Sequence, residues 1–342
     1  MSHYLDLRKA MRDSPKPWLV SGAAGFIGSA LVEALLELGQ TVVGVDNLSS
    51  GDLSRLDAVR DRLDDAAWAR FRFEEMDIRD AEACCAPCEG IRYVLHQAAM
   101  TSVEQSIQDP QAAHENNVEG FLNLARAAQR GGVARFVYAS SASVYGRGSA
   151  SPLSESDRPA PISPYGATKW INEVYAGLLG AEPGTDFVGL RYFNVVGPGQ
   201  DPAGAYAAVV PRWAQALTEG RPAEIYGDGE TTRDFCALGD VVQANLLAAQ
   251  SPGAANEVFN IGSGQPTRLI ELHGMLVELI AAQGSVAVER EPLFGAFREG
   301  DIPRSLANIE KACRELGYVP EEGLGAVLTA VVDSARLEVD SA

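Results

Sequence analysis

The chain has 342 residues, of which 46% are hydrophobic, and a formal net charge of −18. This length and composition are those of a globular protein with a sizeable core and room for two lobes. The acidic balance argues against partners that need a basic surface, so we expect neither nucleic acid nor an anionic membrane to be a partner. An anionic substrate would have to be received by a few local arginines.

The cysteines and the first residues indicate a cytoplasmic protein. The five cysteines are an odd number, and the cluster at residues 84–88 lacks a second Cys or His pair at a zinc spacing. We therefore expect reduced thiols and no metal site. Residues 1–16 place charges among apolar residues at helical spacing, which predicts a surface helix rather than a signal peptide or a membrane anchor.

A strand and a glycine-rich turn open the first domain. Residues 18–20 read as the strand, and the sequence GAAGFIG then leads into a helix that ends near residue 39. Gly22, Gly25 and Gly28 permit a tight turn, close approach of the backbone to a pyrophosphate and close packing of the helix. The N-terminus of that helix would face the phosphates of a dinucleotide.

The second predicted strand ends in a carboxylate. Residues 41–45 form the strand, and Asp46 follows it, 24 residues after Gly22. A carboxylate at this place can accept hydrogen bonds from both ribose hydroxyls and would repel a 2′-phosphate. No arginine follows immediately, so the pattern predicts NAD rather than NADP.

Strands and helices alternate along the next part of the chain. Further apolar strands are predicted at residues 71–76, 93–96, 135–140 and 186–193. Alternation with long crossovers predicts a parallel sheet covered by helices on both faces, which is a Rossmann-type doubly wound α/β fold.

The domain boundary is expected near residue 194, where the composition changes. Residues 1–194 would form an NAD-binding domain, and residues 195–342 a smaller C-terminal α/β lobe that binds the substrate. A strand and a helix pattern within residues 234–262 would extend the first sheet, so parts of this segment are expected to return to the first domain.

A hydroxyl, a phenol and a lysine come together in the middle of the chain. Ser141 and Ser143 follow a predicted strand, at the edge where open α/β sheets bind ligands. Tyr165 and Lys169 stand one turn apart on one face of a helix predicted at residues 165–180. An ammonium beside a phenol would lower the pKa of the phenol. This set of groups is typical of a general base that removes a proton from an alcohol.

The same helix has two useful faces. One face is formed by Tyr165, Lys169, Asn172 and Ala176, and the opposite one by Trp170, Ile171, Val174 and Leu178. The first face would serve the site. The second would pack inside the chain or pair with a second copy across a two-fold axis, so we expect a homodimer built from paired helices.

Ten motifs in order carry a resemblance to a known family. They are GAAGFIG, VDNLSSG, DIRD, HQAA, NNVEG, SSASVYG, SPYGATK, RYFNVVGPGQDP, DGETTRDF and FREGDIPRSLANI. Over about residues 4–320 the chain resembles the extended short-chain dehydrogenase/reductases of the nucleotide-sugar 4-epimerase kind, and more closely the bacterial UDP-N-acetylglucosamine 4-epimerases.

The resemblance implies which residues hold NAD. They are Gly22, Gly25, Phe26, Ile27, Gly28, Asp46, Asn47, Asp77, Ile78, Gln97, Ala98, Ala99, Asn117, Tyr165, Lys169 and Tyr192. Asp77 and Ile78 would surround the adenine. The glucose/galactose epimerases usually carry an aromatic residue at the position of Gln97 and a lysine at that of Thr101, so the chain departs from them at both positions.

The resemblance also implies a catalytic and a sugar-nucleotide set. Ser141, Tyr165 and Lys169 would be catalytic, and the residues that contact the UDP-sugar would be Ser102, Ser141, Ser143, Tyr165, Asn194, Ala208, Val209, Arg233, Arg298, Asp301 and Ser305. The arginines also make independent sense, because a guanidinium matches the geometry of a phosphate.

The implied reaction is a redox-neutral epimerisation at carbon 4 of the sugar. Tyr165 would take the proton of the 4-hydroxyl while a hydride passes to tightly bound NAD, and the 4-keto sugar would turn before the hydride returns. Related dehydratases and decarboxylases place carboxylates after the strand hydroxyl, whereas this chain has Ala142 and Ser143. The remaining alternatives are an epimerase of another UDP-sugar, such as an unacetylated hexose or a uronic acid, and a module that senses NAD.

One position bears on which sugar is used. Enzymes restricted to unacetylated sugars resemble each other in having a tyrosine where this chain has Ser305, and they usually carry asparagine where it has Ala208. The small residues would leave space for an N-acetyl group. UDP-N-acetylglucosamine and UDP-N-acetylgalactosamine are therefore the expected pair. In the alternative interpretation, Ser305 is only the N-cap of a helix predicted at residues 306–316.

Overall fold

The computed structural model describes residues 3–147, 151–202, 208–283, 290–297 and 302–340. Its strands are β1 Pro17–Ser21, β2 Thr41–Asp46, β3 Phe71–Glu75, β4 Tyr93–His96, β5 Arg135–Ser141, β6 Asp186–Tyr192, β7 Asn194–Val196, β8 Glu224–Tyr226, β9 Thr232–Ala237, β10 Val258–Ile261, β11 Pro266–Arg268 and β12 Leu293–Gly295. Its α-helices are α1 His3–Asp13, α2 Phe26–Glu37, α3 Leu53–Arg62, α4 Asp65–Trp68, α5 Val103–Gln108, α6 Pro110–His114, α7 Gly120–Arg130, α8 Pro164–Gly180, α9 Val209–Thr218, α10 Leu238–Gln250, α11 Leu269–Ala282, α12 Glu310–Leu316 and α13 Leu324–Asp340.

Seven parallel strands form the central sheet, in the spatial order β10-β6-β5-β4-β1-β2-β3. From β1 the chain runs outward to β3 on one side and then, starting at β4, outward on the other. This reversal between β1 and β4 opens a crevice at the carboxyl ends of the strands, where such sheets bind ligands. The predicted Rossmann-type doubly wound fold is confirmed.

The sheet strands are apolar because helices cover both faces. Side chains alternate along β1, so that Trp18 and Val20 belong to a core with α2 and α10, while Leu19 belongs to a core with α7 and α8. All three side chains are fully buried. A strand that is buried on both faces reads as a continuous apolar run, which is how β1 stands out in the sequence.

The second lobe is built after β6, and the chain then returns to the first sheet. In the lobe, β7, β9 and β11 form one small sheet and β8 pairs with β12. Helices α9, α11 and α13 enclose its core around Trp213, Leu276 and Leu328. Strand β10 pairs with β6, and α10 packs against α2. The lobe is therefore connected to the first sheet along several segments.

The predicted elements match the observed ones closely, with one error. Strand β4 has the predicted bounds, and α8 begins one residue before its predicted start. The helix predicted at residues 306–316 is wrong in its first part, because α12 begins only at Glu310. The preceding segment is extended: the backbone N–H of Leu153 donates to the Leu306 carbonyl oxygen at 2.7 Å, and that of Asn308 donates to the Leu153 carbonyl oxygen at 2.8 Å.

The described part of the chain shows no group of metal ligands and no helix able to cross a membrane. All five cysteines are free thiols. Within the described part of the chain, no three His, Cys, Asp or Glu side chains come together as a metal site would require. None of the described helices combines the length and the apolar character needed to cross a membrane.

Candidate active site

The glycine-rich turn after β1 is shaped by close backbone contacts. Gly22 has φ of +71°, and a Cβ there would lie 2.8 Å from the backbone nitrogen of Ala98. A Cβ on Gly28 would lie 1.8 Å from the carbonyl oxygen of Gly22. Gly25 is the N-cap of α2, which begins at Phe26. Because no side chain fits into the turn, the backbone N–H groups at the start of α2 stay accessible to a phosphate.

Asp46 ends β2 beside that turn. Its carboxylate accepts hydrogen bonds from the backbone N–H of Ala24 at 3.0 Å and of Leu48 at 2.9 Å. Each oxygen therefore keeps capacity for another donor. The side chain is fixed in place before any ligand binds, which suits the predicted contact with two ribose hydroxyls.

The residues predicted to surround the adenine, Asp77 and Ile78, follow β3 and lie beside Asn47, which follows β2. Asn47 donates from Nδ2 to Asp77 Oδ2 at 3.0 Å. Hydrogen bonds from the Arg79 guanidinium are the main cause that lowers the pKa of Asp77 to about 2, so this carboxyl is ionised at neutral pH. Ile78 is buried against Gly120, where a Cβ would come within 2.6 Å of Ile78 Cδ1. The loop after β3 is thus fixed to both the loop after β2 and the start of α7.

His96 is a buried histidine beside the glycine-rich turn, and it was not predicted as a site residue. The Ser21 hydroxyl and His96 Nδ1 are 2.7 Å apart, and the backbone N–H of Ala98 donates to Ser21 Oγ at 3.3 Å. Burial lowers the pKa of His96 to about 3, so the imidazole is neutral at physiological pH. Its sequence signals were the HQAA motif and a polar side chain inside an apolar strand.

Gln97 and Tyr192, both predicted to contact NAD, are joined by a third residue. Tyr192 donates its hydroxyl to Gln97 Oε1 at 3.3 Å and accepts from Asn245 Nδ2 at 2.8 Å, and Gln97 Nε2 donates to Asn245 Oδ1 at 3.2 Å. Asn245 is fully buried on α10. Sequence reasoning missed it, although an asparagine in the middle of an apolar helix is a usable signal.

Asn117 lies in a single π-helical turn at Glu115–Glu119. Its side-chain carbonyl accepts from the backbone N–H of Met100 at 2.7 Å, and its amide donates to the Met100 carbonyl and to Thr168 Oγ1, each at 3.0 Å. Both amide hydrogens are therefore used inside the protein. The residue fixes the loop after β4 against α8, and π-helical turns of this kind occur frequently at functional sites.

Ser141 and Tyr165 meet at the carboxyl edge of the sheet. Ser141 ends β5, and its Oγ accepts from the backbone N–H of Ser143 at 3.1 Å. Its hydroxyl is close enough to the Tyr165 phenol to act on the pKa of that group. The backbone N–H of Tyr165 donates to Ser106 Oγ at 3.0 Å, so the first turn of α8 is also fixed to α5. Ser106 is a third residue that sequence reasoning missed.

Lys169 lies one turn further along α8 and is 2% exposed. Its Nζ lies 5.8 Å from the centre of the Tyr165 ring and donates to the Ala139 carbonyl oxygen at 2.9 Å. Burial lowers the pKa of this ammonium to about 8. The structure thus brings the three predicted catalytic residues into one site.

The expected lowering of the Tyr165 pKa is wrong for the protein by itself. Burial raises the pKa of the phenol, and the hydrogen bond from Ser141 acts in the opposite direction without cancelling it. The ammonium of Lys169 is itself desolvated, and it lies 5.8 Å from the centre of the ring. Loss of water around the phenol therefore outweighs the attraction of the lysine.

The described residues that were predicted to contact the substrate lie on several different elements. Ser102 is the N-cap of α5 and accepts from the Gln105 N–H at 3.1 Å. Asn194 donates to the Asp234 carbonyl at 3.0 Å, and Arg233 donates to the Ile302 carbonyl at 2.6 Å. Ala208 is the N-cap of α9, which begins at Val209. Arg298 and Asp301 lie outside the described residues.

Ser305 belongs to the extended segment before α12, and the interpretation of it as an N-cap is wrong. Its backbone N–H donates to the Thr232 carbonyl oxygen at 3.2 Å, while the N-cap of α12 is Ile309. Ser305 is 8% exposed, and its neighbour Arg304 pairs with Thr232 of β9. Ser305 is therefore a buried residue of an extended segment beside β9 rather than a helix start.

Comparison with known proteins identifies the family. The model of the NAD dependent epimerase/dehydratase family matches residues 18–262. The chain belongs to this family. It is 38% identical to the UDP-glucose 4-epimerase of Mycolicibacterium smegmatis over 93% of this chain and 98% of the relative.

Solved structures lead to the same class of UDP-sugar 4-epimerases. The UDP-glucose 4-epimerase of Thermotoga maritima with UDP-glucose superposes with a TM-score of 0.86 at 36% identity, covering 94% of this chain and 99% of that one. A UDP-N-acetylglucosamine 4-epimerase of Methanobrevibacter ruminantium in complex with UDP-N-acetylmuramic acid gives 0.87 at 32% identity, covering 95% and 99%. This chain is an NAD-dependent epimerase of that class.

The site of this epimerase fits its cofactor. The glycine turn admits no side chain, because added Cβ atoms would overlap backbone atoms there, and the N-terminus of α2 follows it directly. Asp46 keeps acceptor capacity for ribose hydroxyls, and the Lys169 ammonium uses one of its three hydrogens on Ala139. The hydrogen-bond donors and acceptors that remain at Lys169 and Asp46 therefore match those that an NAD molecule needs.

Proposed function

We propose that this protein is a UDP-N-acetylglucosamine 4-epimerase that interconverts UDP-N-acetylglucosamine and UDP-N-acetylgalactosamine. The observation that carries the proposal is the small side chain of Ser305, which lies in an extended segment hydrogen-bonded to Thr232 of β9. We place this residue beside carbon 2 of the sugar by its position in the family motif. A larger ring at this position would overlap an acetamido group on carbon 2, whereas serine leaves the volume free.

In the proposed reaction, Tyr165 and Ser141 act on the same oxygen of the sugar. Tyr165 in its phenolate form accepts the proton of the 4-hydroxyl, and Ser141, which lies beside the phenol, holds that oxygen in line. NAD would supply the hydride acceptor at carbon 4 and the hydride donor for the return step. Lys169 places a positive charge beside the phenol, which favours the phenolate and so acts against the effect of burial.

The substrate would be held by its nucleotide while the sugar ring turns. Arg233 lies on β9 and donates to the Ile302 carbonyl at 2.6 Å, and we assign its guanidinium to the pyrophosphate. We assign the same task to Arg298 and the neighbouring contact to Asp301, by their places in the family motif. Asn194, Ser102 and Ser143 are proposed to contact the sugar or the uridine.

The known relatives do not agree on one sugar, so an assay must decide. Relatives of similar identity are named for UDP-glucose and for UDP-glucuronate. UDP-glucose is therefore the second candidate substrate. Purified protein is incubated with UDP-N-acetylglucosamine, UDP-N-acetylgalactosamine, UDP-glucose or UDP-galactose without added cofactor, and products are separated by chromatography. Conversion confined to the unacetylated pair would refute the proposed substrate.

The competing reactions lack the residues that they need. Elimination of water or carbon dioxide from the keto sugar uses a carboxylate after the strand hydroxyl, and the chain has Ala142 and Ser143 there. A module that only senses NAD would not need Ser141 beside Tyr165. We place the activity in the cytoplasm, where five free thiols persist in reduced form.

We also propose that the protein is a homodimer through α8. The side chains of Trp170, Val174 and Leu178 project from the face of α8 that lies opposite Lys169, and all three are exposed. An apolar strip on one helix can pair with its own copy across a two-fold axis, because such an interface is self-complementary.

A further inference from the structure

A chain of buried polar side chains runs behind the catalytic serine and reaches the second lobe. It consists of Ser140, Glu173, Arg191, Tyr145 and Asn260. We infer that these five are positioning residues, which set the place of Ser141 relative to the segment at residues 302–309. The inference uses the proposed function only in placing the sugar beside that segment.

The centre of the chain is a buried ion pair. Arg191 NH2 lies 2.7 Å from Glu173 Oε2, and the two side chains are 5% and 7% exposed. Arg191 Nε donates to Glu173 Oε1 at 2.9 Å, and Ser140 Oγ donates to the same oxygen at 2.5 Å. Removing two charges from water is costly, and an apolar pair would fill the space at least as well. The presence of this buried ion pair is therefore better explained by the fixed geometry that it imposes on the two side chains than by a gain in the free energy of unfolding.

Tyr145 extends the chain away from the ion pair. Its hydroxyl accepts from Arg191 NH1 at 2.8 Å and donates to Asn260 Oδ1 at 2.6 Å. The guanidinium carbon of Arg191 also lies 4.7 Å from the centre of the ring. Burial is the main cause that raises the pKa of Tyr145 to about 12, so the phenol keeps its proton. The Tyr145 hydroxyl thus links Arg191 to Asn260. Because it accepts one hydrogen bond and donates the other, the direction of both bonds is fixed.

Asn260 attaches the chain to the second lobe. Its Nδ2 donates to the Leu153 carbonyl at 2.9 Å and to the Asn308 carbonyl at 3.2 Å. Leu153 is itself bonded through its backbone to Leu306 and Asn308. Ser305 precedes this attachment directly. The position of the proposed sugar-lining segment is therefore linked to Asn260 by hydrogen bonds.

At the other end, three of the five members adjoin a catalytic or cofactor residue. Ser140 precedes Ser141 on β5, Arg191 precedes Tyr192 on β6, and Glu173 lies one turn after Lys169 on α8. A shift of the buried ion pair would move the ends of two strands and the catalytic helix together. Displacements of about 1 Å at such distances can cost about 100-fold in rate.

The test compares Tyr145→Phe with Tyr138→Phe. Tyr138 lies on β5, has the same 1% exposure and is outside the polar chain. Both variants keep the aromatic ring, so both should fold. We expect Tyr145→Phe to lower kcat by about 10- to 100-fold with KM within about threefold of the wild type, and Tyr138→Phe to leave kcat within about threefold.

A double-mutant cycle that combines Tyr145→Phe with Asn260→Ala tests whether Tyr145 and Asn260 act through each other. If Tyr145 and Asn260 are links of one chain, the double variant should lose no more than about threefold beyond the worse single variant. The inference would be overturned if the two single losses of kcat multiplied in the double variant. It would also be overturned if Tyr145→Phe kept the kcat of the wild type. Melting temperatures are recorded for every variant, and a fall in kcat that merely follows the folded fraction would also overturn it.

The substrate for this test is whichever of the four UDP-sugars the wild type converts fastest. Lack of turnover with the acetylated sugars would therefore refute the proposed substrate without affecting the comparison of variants. Equal kcat values for wild type and Tyr145→Phe would refute the positioning role whatever the sugar is.

Discussion

Lys169 Nζ donates a hydrogen bond to the carbonyl oxygen of Ala139, two residues before Ser141, at a distance of 2.9 Å. This contact ties the helix that carries the phenol to the strand that carries the hydroxyl. An ammonium has three hydrogens, so two remain for the cofactor and the phenol. The lysine thus orients the catalytic pair as well as supplying charge, and the site depends on α8 and β5 keeping a fixed relative position.

Replacing Tyr165 by Phe should remove most of the epimerase activity and leave NAD bound. The ring still fills its site, but the oxygen that accepts the substrate proton is lost, a step worth about 10²–10⁴-fold. Turnover and the NAD content of the same sample are measured together. Tyr175→Phe, on the outer face of the same helix, is the control. Near-normal turnover of Tyr165→Phe would refute the role of the base.

The protein should purify with NAD or NADH already bound. The reaction returns its cofactor to the starting state, and Asp46 is held by the N–H groups of Ala24 and Leu48 to accept ribose hydroxyls. Denatured samples are assayed for the dinucleotide that they release. Asp46→Asn should retain less NAD than Asp57→Asn, an exposed position on α3. Recovery of mainly NADP(H) would contradict the role of Asp46.

His96 should make the protein more sensitive to acid. Its pKa is lowered from the ordinary value of 6.5 to about 3 by burial, so the unfolded chain binds a proton that the folded chain does not at pH values between these two. The free energy of unfolding that His96 contributes is therefore complete above pH 6.5 and declines as the pH falls towards 3. Between pH 6.5 and 5 the expected decline is about 2 kcal/mol.

Urea unfolding of wild type and of His96→Gln at pH 7.5 and at pH 5 measures this decline. The stability difference between the two proteins should shrink at pH 5, because glutamine cannot take up the proton. His114→Gln, at an exposed histidine, should show no such change. An equal difference at both pH values would mean that His96 is not kept neutral by burial.

The sequence predicted the parts of the site that depend on local pattern. Glycine spacing located the turn before α2, and the Tyr–Lys spacing on one helix face located the base, because both follow from backbone geometry. It did not predict Asn245, Ser106 or the bonding of Glu173. Each of these is defined by a partner far along the chain, such as Tyr192 for Asn245, and such pairings are set by the packing of whole elements.

The error at residues 306–316 has the same origin. Leu306, Ala307 and Asn308 have ordinary helix-forming neighbours, but hydrogen bonds to Leu153 and to the Asp234 carboxylate hold them extended. Tertiary contacts outweigh local propensity here, because propensity differences amount to about 1 kcal/mol or less per residue.

Leu178→Glu should convert the proposed dimer into a monomer. A carboxylate at this position would have to be buried without a partner in a paired-helix interface. Leu178 is 63% exposed, so the substitution should leave the fold of one chain intact. Light scattering on a sizing column gives the mass. Val319→Glu, at another exposed apolar residue, is the control, and equal masses for wild type and Leu178→Glu would contradict an interface at α8.

Ser305→Tyr should change which sugar the enzyme accepts. The residue lies in the extended segment bonded to β9 and is 8% exposed, so a tyrosine ring there must take space from its neighbours or from the bound sugar. An N-acetyl group would compete for that volume, whereas a 2-hydroxyl would not. We expect kcat/KM for UDP-N-acetylglucosamine to fall at least about tenfold more than that for UDP-glucose.

Ser305→Ala is the matched control for that substitution. It keeps the side chain small, so both sugars should be turned over as by the wild type, and any loss would report the hydroxyl rather than the volume. A parallel fall for both sugars in Ser305→Tyr, together with a lower melting temperature, would mean that the ring disturbs the contact between Ser305 and Thr232 rather than the sugar. Only a loss confined to the acetylated sugar supports the proposed substrate, because only that outcome requires the acetamido group to lie against this residue.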